Sequence, residues 1–425
     1  MARLRFDSFA SFEDYLDSLG MFHMDMGLDR VQEALDALAL TRPTGLSIQV
    51  VGTNGKGSTS TFLAEILSSQ GSRTGLFTSP HFLSPKERVL VDGEQLPDDL
   101  WLAAAEAVLR VSQDLSPERR LTYFELVTVM AAWMFKEADC AAAVFEAGLG
   151  GAHDATTALR HDLTVITPIG MDHVSLLGPG LSDIARDKAL AMRAGVPVVT
   201  AAQTPEVLAV IRDVAAETGT ALFLADDIAN AHSSNWPRVA AMPGPHQADN
   251  LHLALAAHHL LATAHELPVA PEALEHAAKR AFIPGRLQVI PASTGWPAFV
   301  LDGAHNVPGL ECLAQALAEL SIKPDAVIFA CLADKDVEAM LPLARSLTDG
   351  PIHVPGLDAP GRALESGELA QRLGGRAEPV AHMSAAFKKV KGLDGTVLVC
   401  GSLYLLAEAY KLRPLWLRRG SGRCP

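Results

Sequence analysis

Residues Leu46–Gln70 read LSIQVVGTNGKGSTSTFLAEILSSQ, and this stretch changes character twice. Leu46–Val51 is a short β-prone run. Gly52-Thr53-Asn54-Gly55-Lys56-Gly57-Ser58-Thr59 is a glycine-rich turn. From Thr59 to Gln70, Phe62, Leu63, Ile66 and Leu67 share one helical face, and Gly71 ends the pattern. In a strand–glycine loop–helix unit, backbone N–H groups turn toward phosphate oxygens and the helix adds its positive end. Lys56 is placed to bridge terminal phosphates, and Ser58 or Thr59 to reach a magnesium ion. The spacing is not GxxxxGK[ST]: its first half is shorter, and Gly57 separates the lysine from the hydroxyl. A ligand-free tight turn would use the same glycines. The flanking strand and helix favour the phosphate reading.

Similar alternation extends outward. Thr74–Thr78, Ala141–Glu146, Leu163–Thr167 and Val196–Thr200 read as strands, and Trp101–Gln113 and Tyr123–Glu137 as helices. Repeated βα units predict an α/β fold with a doubly wound, mostly parallel sheet whose ligands gather at the carboxyl ends of strands. Ile283-Pro284-Gly285-Arg286 punctuates the chain. After it come strands at Ala298–Leu301, Ala326–Ala330, Ile352–Val354 and Thr396–Cys400, with helices at Val307–Leu320 and Val337–Ser346. The expected division is an ATP-binding P-loop domain over 1–286 and a smaller, Rossmann-like α/β domain over 287–425. A length of 425 residues suits two cores.

Charge and composition exclude several classes. A net charge of −14 lacks the basic stripe that nucleic acid requires. Five cysteines, an odd number without a CxxC pair, argue against a disulfide framework or structural zinc. No run is apolar enough for a membrane span, and the acidic start lacks a signal-peptide core. A cytoplasmic protein, monomeric by default, is expected.

Polar motifs follow the predicted strands. Thr78-Ser79-Pro80-His81 offers a hydroxyl suited to magnesium, and Arg88 can hold a carboxylate or phosphate. Glu146, followed by Gly148, Gly150 and Gly151 and then Asp154, is a candidate magnesium ligand beside closely approaching backbone. His173, in Met171-Asp172-His173, can bind metal or orient water. Asp183 and Asp187 are i,i+4 neighbours, and Asp187-Lys188 by itself reads as a solvated helical face. Asp302-Gly303-Ala304-His305 and Arg286 suit a ligand-facing edge, and Asp334-Lys335-Asp336 is a similar cluster.

Taken in order, GTNGKGS, TSPH, LTYFE (Leu121–Glu125), the Glu146 glycine run, MDH, HQADN (His246–Asn250), PGR (Pro284–Arg286) and DGAHN resemble the folylpolyglutamate synthase and dihydrofolate synthase family of the Mur ligase superfamily. The resemblance runs from Asp25–Arg30 to Val399–Ser402. It implies that ATP converts a substrate carboxylate to an acyl phosphate, which the amine of L-glutamate attacks. Dihydropteroate or reduced folates would be the acids, with retention of Thr122, Phe124 and the Asp25 loop favouring use of both. It further implies that Gly52–Thr59 holds ATP together with Asn250, Arg286 and Asp302. Ser79 and Glu146 match ligands of one magnesium ion and His173 a ligand of a second. Lys188 matches a carbamylated lysine, and potassium is an optional further cation. Lys56, His173 and Lys188 are the catalytic candidates. Arg88, Thr122, Phe124, Asp154 and His305 are the substrate candidates. Three positions depart from the family pattern: Thr157 stands where asparagine is frequent, Asp187 where the lysine helix usually has glutamate, and Leu190 where it usually has glycine. A cell-wall precursor ligase would share the ATP loop but lack TSPH and LTYFE. A P-loop phosphotransferase or regulator would have no need of the second domain.

Overall fold

The computed structural model describes residues 5–20, 27–114, 120–232, 236–237, 240–359 and 361–419. Asp25 and Met26 lie outside the described residues. The chain forms two compact units, residues 1–238 with 249–280, and residues 239–248 with 281–425.

Among the described residues the first unit is built on eight strands: β1 (Leu46–Val51), β2 (Thr74–Phe77), β3 (Val89–Val91), β4 (Glu94–Gln95), β5 (Ala142–Glu146), β6 (Leu163–Ile166), β7 (Val198–Thr200) and β8 (Leu222–Leu224). Their order is β4-β3-β2-β5-β1-β6-β7-β8. Every pair is parallel except β2–β3 and β3–β4. All six residues of β1 are buried, as expected of a central parallel strand covered on both faces. Ala143 and Phe145 of β5 pack with the helices Asp98–Asp114 and Tyr123–Glu137, whereas Val51 and Ile166 pack with Leu181–Ala189 and Pro205–Thr218. In register, Val50 of β1 faces Glu146 of β5. The glycine loop and the Glu146 turn therefore leave the sheet side by side.

The central expectations hold closely. The Tyr123–Glu137 helix matches, while the phosphate-loop helix begins at Lys56, a turn earlier than the apolar face announces. Strands β3, β4 and β8 are too short to show a period. The second unit has strands β9 (Gln288–Ile290), β10 (Ala298–Leu301), β11 (Ala326–Phe329), β12 (Ile352–Pro355), β13 (Ala377–Val380) and β14 (Thr396–Cys400), in the order β13-β12-β11-β14-β10-β9. Among the described residues only the β9–β10 pair is antiparallel in this sheet. No helix among the described residues is long and apolar enough to cross a membrane.

His161 ties β1 to the turn after Asp154. Its Nδ1 lies 2.9 Å from Ser47 Oγ and its Nε2 2.8 Å from the Thr156 carbonyl. A carbonyl only accepts, so Nε2 carries the proton and Nδ1 accepts from the hydroxyl. Burial pulls this histidine down to about 4, and it does the same to His258. The folded chain therefore refuses protons that the unfolded chain takes up. Stability is complete above the ordinary histidine range and falls as pH drops from about 6.5 toward 4, by roughly 3 kcal/mol for His161. His161→Gln should unfold at lower temperature at pH 7 yet lose less stability across that window, with the His258 share remaining. Thermal unfolding across pH reads both effects, and an undiminished slope would exclude His161 as a source.

Candidate active site

The edge where β1, β2, β5 and β6 end brings the phosphate loop, Asn250, Ser79, Glu146, Phe124 and Lys188 close to one another. Gly52 (φ 144°) turns the chain out of β1, and a side chain there would strike Thr167 Oγ1. Thr53 and Asn54 donate their N–H groups to the Pro168 carbonyl after β6 (3.1 and 3.2 Å), and the Thr53 hydroxyl donates to the Gly170 carbonyl (3.1 Å). Gly55 (φ 84°) precedes the Lys56–Ser69 helix, and a Cβ there would meet Asn250 Oδ1. Asn250 thus sits against the phosphate-loop turn, where it also accepts from Thr59 Oγ1 (3.5 Å). Thr59 is fully buried. Lys56 Nζ donates to the Thr53 carbonyl (3.1 Å), folding its ammonium over the loop.

A methyl group on Gly57 would stand 3.4 Å from Glu146 Oε1. Glu146 is only 5% exposed and its Oε2 accepts from Ser79 N–H (2.9 Å). A buried carboxylate beside a phosphate loop and a serine suits magnesium, which takes one or two carboxylates and completes its shell with phosphates and water. Among the described residues no three His, Cys, Asp or Glu side chains cluster as a metal cage. His173 follows β6 in a left-handed conformation (φ 50°), its ring 3.9 Å from the Asp172 carboxylate. Such a backbone is uncommon outside glycine and frequent at functional sites.

The glycines after Glu146 admit three neighbours. A Cβ on Gly148 would lie 2.6 Å from the Phe124 ring, one on Gly150 2.5 Å from Asp187 Oδ2, and one on Gly151 2.6 Å from the Lys188 carbonyl. The Leu181–Ala189 helix docks so closely that Lys188 is 4% exposed. Read alone as a solvated face, this lysine is instead buried. Burial, reinforced by the like charge of Lys56, pulls its ammonium down to about 7 against the opposing pull of Asp187, Asp172 and Asp154.

Asp154 is engaged within its own loop. Its Oδ2 accepts from the Gly148 and Leu149 N–H groups (2.7 and 3.0 Å), and its Oδ1 from Thr156 N–H and hydroxyl (3.0 and 2.6 Å). Burial raises its pKa while these bonds lower it. Arg88 is buried, donating to His81 Nδ1 (2.8 Å) and facing the Tyr123 ring. Burial and the Arg88 charge take His81 down to about 3. Thr122 caps the Tyr123–Glu137 helix, and its N–H donates to Glu125 Oε2 (2.8 Å). Glu125 also receives a two-pronged contact from Arg30 (2.8 and 2.9 Å). The Thr-x-x-Glu spacing is a readable capping box; its link to Arg30, 95 residues away, is not.

In the second unit, Asp302 is 7% exposed and accepts from Leu287 N–H and Ala304 N–H (2.8 Å each). A Cβ on Gly303 would meet the Arg286 guanidinium at 2.6 Å. His305 Nδ1 lies 2.7 Å from the Gly303 carbonyl.

Residues 285–403 match the Mur ligase, glutamate ligase domain. The dihydrofolate synthase/folylpolyglutamate synthase of Escherichia coli K12 is 33% identical over 432 residues, covering 97% of each chain. The chain belongs to the folylpolyglutamate synthase/dihydrofolate synthase family. It is accordingly an ATP-dependent acid–amino-acid ligase. E. coli FolC in complex with DHPP and ADP superposes with a TM-score of 0.84 at 31% identity, covering 96% of this chain and 98% of that one. A bifunctional synthase of this family with Mn, AMPPNP and L-glutamate bound gives 0.85 at 30% identity, covering 97% and 100%. A match running nearly end to end with these synthases also sets aside the cell-wall ligase and the phosphotransferase.

Because the Lys188 backbone cannot retreat, Gly151→Ala should destabilise the first unit by roughly 2 kcal/mol or more. Gly367→Ala, with open space around its Cβ inside a helix, should be neutral or stabilising. Urea unfolding compares them, and equal midpoints would refute the close approach.

Proposed function

We propose that this chain joins L-glutamate to the free carboxylate of dihydropteroate and of reduced folates, consuming ATP and releasing ADP and phosphate. The observation that carries this reading is the meeting of the phosphate loop, the Glu146 carboxylate and the Phe124 ring at one strand edge. The related complexes with DHPP, ADP, AMPPNP and L-glutamate support it.

A carboxylate is a poor electrophile. Its oxygen attacks the terminal phosphorus of ATP, ADP leaves, and an acyl phosphate results. The amino nitrogen of glutamate then attacks the acyl carbon, the carbon–oxygen bond to phosphate breaks, and the amine gives up its proton. Both steps are tasks of positioning and charge stabilisation. The N–H groups over Gly55–Ser58, where the helix starts, hold the phosphates, with Asn250 fixing the turn. Lys56 exchanges the Thr53 carbonyl for a phosphate oxygen. Ser79 and Glu146 would hold one magnesium ion and His173 a second, and the metal would draw charge from the phosphates. Phe124 and Thr122 form the pterin side, Arg88 supplies buried positive charge, and Asp154 acts by shaping the Gly148–Gly151 turn. Arg286 and Asp302 as nucleotide contacts, and His305 as a substrate contact, rest on the family match. Phosphate release should depend on glutamate with dihydropteroate and with tetrahydrofolate alike, and Lys56→Ala should lower it on the order of a hundredfold or more. Glutamate-independent release, or normal turnover by that variant, would overturn the assignment.

Lys188 is proposed to be carbamylated. A lysine pulled down to about 7 has a neutral amine above that pH. Its nitrogen bonds to the carbon of carbon dioxide, loses a proton and becomes an anion. With labelled bicarbonate at pH 8, a carbamate carbon signal is expected in the wild type and not in Lys188→Ala. Turnover should fall on removing carbon dioxide and return on adding bicarbonate. The same signal in both proteins, or indifference to bicarbonate, would count against the modification.

A further inference from the structure

We infer that the buried Arg30–Glu125 pair is a positioning device for the pterin substrate, and that Glu125 is its centre. The inference rests on the ligase reading above. Arg30 is 9% exposed and Glu125 5%. Arg30 Nε and Nη2 donate to Glu125 Oε2 and Oε1 at 2.9 and 2.8 Å, a planar fork on a carboxylate. A buried pair of this kind gains little net stability over an apolar replacement, because both ions give up water. What it fixes is geometry: a two-pronged contact holds distance and angle together.

The geometry it fixes surrounds the substrate candidates. Arg30 lies in the first turn of the Asp29–Ala37 helix, directly after the Gly27–Leu28 segment. Glu125 lies in the first turn of the Tyr123–Glu137 helix, and its Oε2 also accepts from Thr122 N–H. Phe124, between Thr122 and Glu125, presses on Gly148 where no side chain would fit. Gly148 in turn donates to Asp154. One carboxylate therefore locks the N-terminal segment, the helix cap and the aromatic ring into a continuous chain of contacts ending two residues past Glu146.

Glutamine at position 125 separates the two jobs of this side chain. Gln at this capping-box position keeps an acceptor for the Thr122 N–H. It removes the charge that Arg30 grips. Arg30→Lys keeps the charge and removes the fork. Each variant should raise KM for dihydropteroate roughly tenfold or more while leaving KM for ATP within about twofold. Amide hydrogen exchange without substrate should quicken at residues 27–31 and 122–128 and not at 52–59. An unchanged dihydropteroate KM, or a parallel rise in both KM values, would overturn the inference. Failure of both variants to fold would assign the pair to stability and overturn it too. Should wild-type protein turn over neither pterin acid, the ligase reading fails, and the exchange pattern still decides whether the pair orders these segments.

Discussion

A methyl group on Gly57 would touch the Glu146 carboxylate, one on Gly148 would strike the edge of the Phe124 ring, and one on Gly151 the carbonyl of Lys188. These contacts share a cause. Parallel register sets Val50 opposite Glu146, so the loops after β1 and β5 emerge a strand spacing apart. At Gly148 and Gly151, only backbone stripped of side chains lets an aromatic ring and a second helix crowd into that space. The closeness keeps water out, and exclusion of water drives the unusual charge states nearby.

Those charge states follow opposite solutions to the same desolvation problem. Arg30 and Glu125 bury their charges as a pair, each satisfying the other. Lys188 is buried beside another cation, so its charge is what yields. Asp154 is buried among backbone donors that compensate part of its burial. The pair and the hydrogen-bonded acid serve rigidity. The lysine is the group left chemically adaptable, a neutral amine available near physiological pH.

The parallel core was legible in sequence because its strands are fully buried and end at glycine or acid, as in β1 and β5. The phosphate loop was legible for the same reason, since a strand and a helix frame it. The lysine of Asp187-Lys188 was not legible from periodicity. Its burial comes from Gly151, 37 positions away, and no local pattern carries that information. The helix start at Lys56 was missed because Gly57 and Ser58 are poor helix formers, held helical by their packing beneath the loop. Strand β13 carries Pro379 and has a largely unburied pattern, which suits a sheet edge and conceals a strand.

Two of the departures from the family pattern, Thr157 and Leu190, separate what the site needs from what it tolerates. Thr157 donates its hydroxyl to the Gly151 carbonyl (2.7 Å) and receives Gln49 Nε2 (2.6 Å). A single hydroxyl, both donor and acceptor, thus fastens the glycine loop to β1, a bond that needs no amide side chain. Leu190 caps its helix with right-handed torsions and a 38% exposed side chain, so no glycine is required there. What cannot vary is the approach of the Lys188 backbone to Gly151, because no rotamer change could relieve a collision between backbone and Cβ. The constraint on this region therefore lies in the glycine loop and the docking of the lysine helix, and side chains around that contact are free to change wherever a hydroxyl or a solvent-facing chain meets the same need.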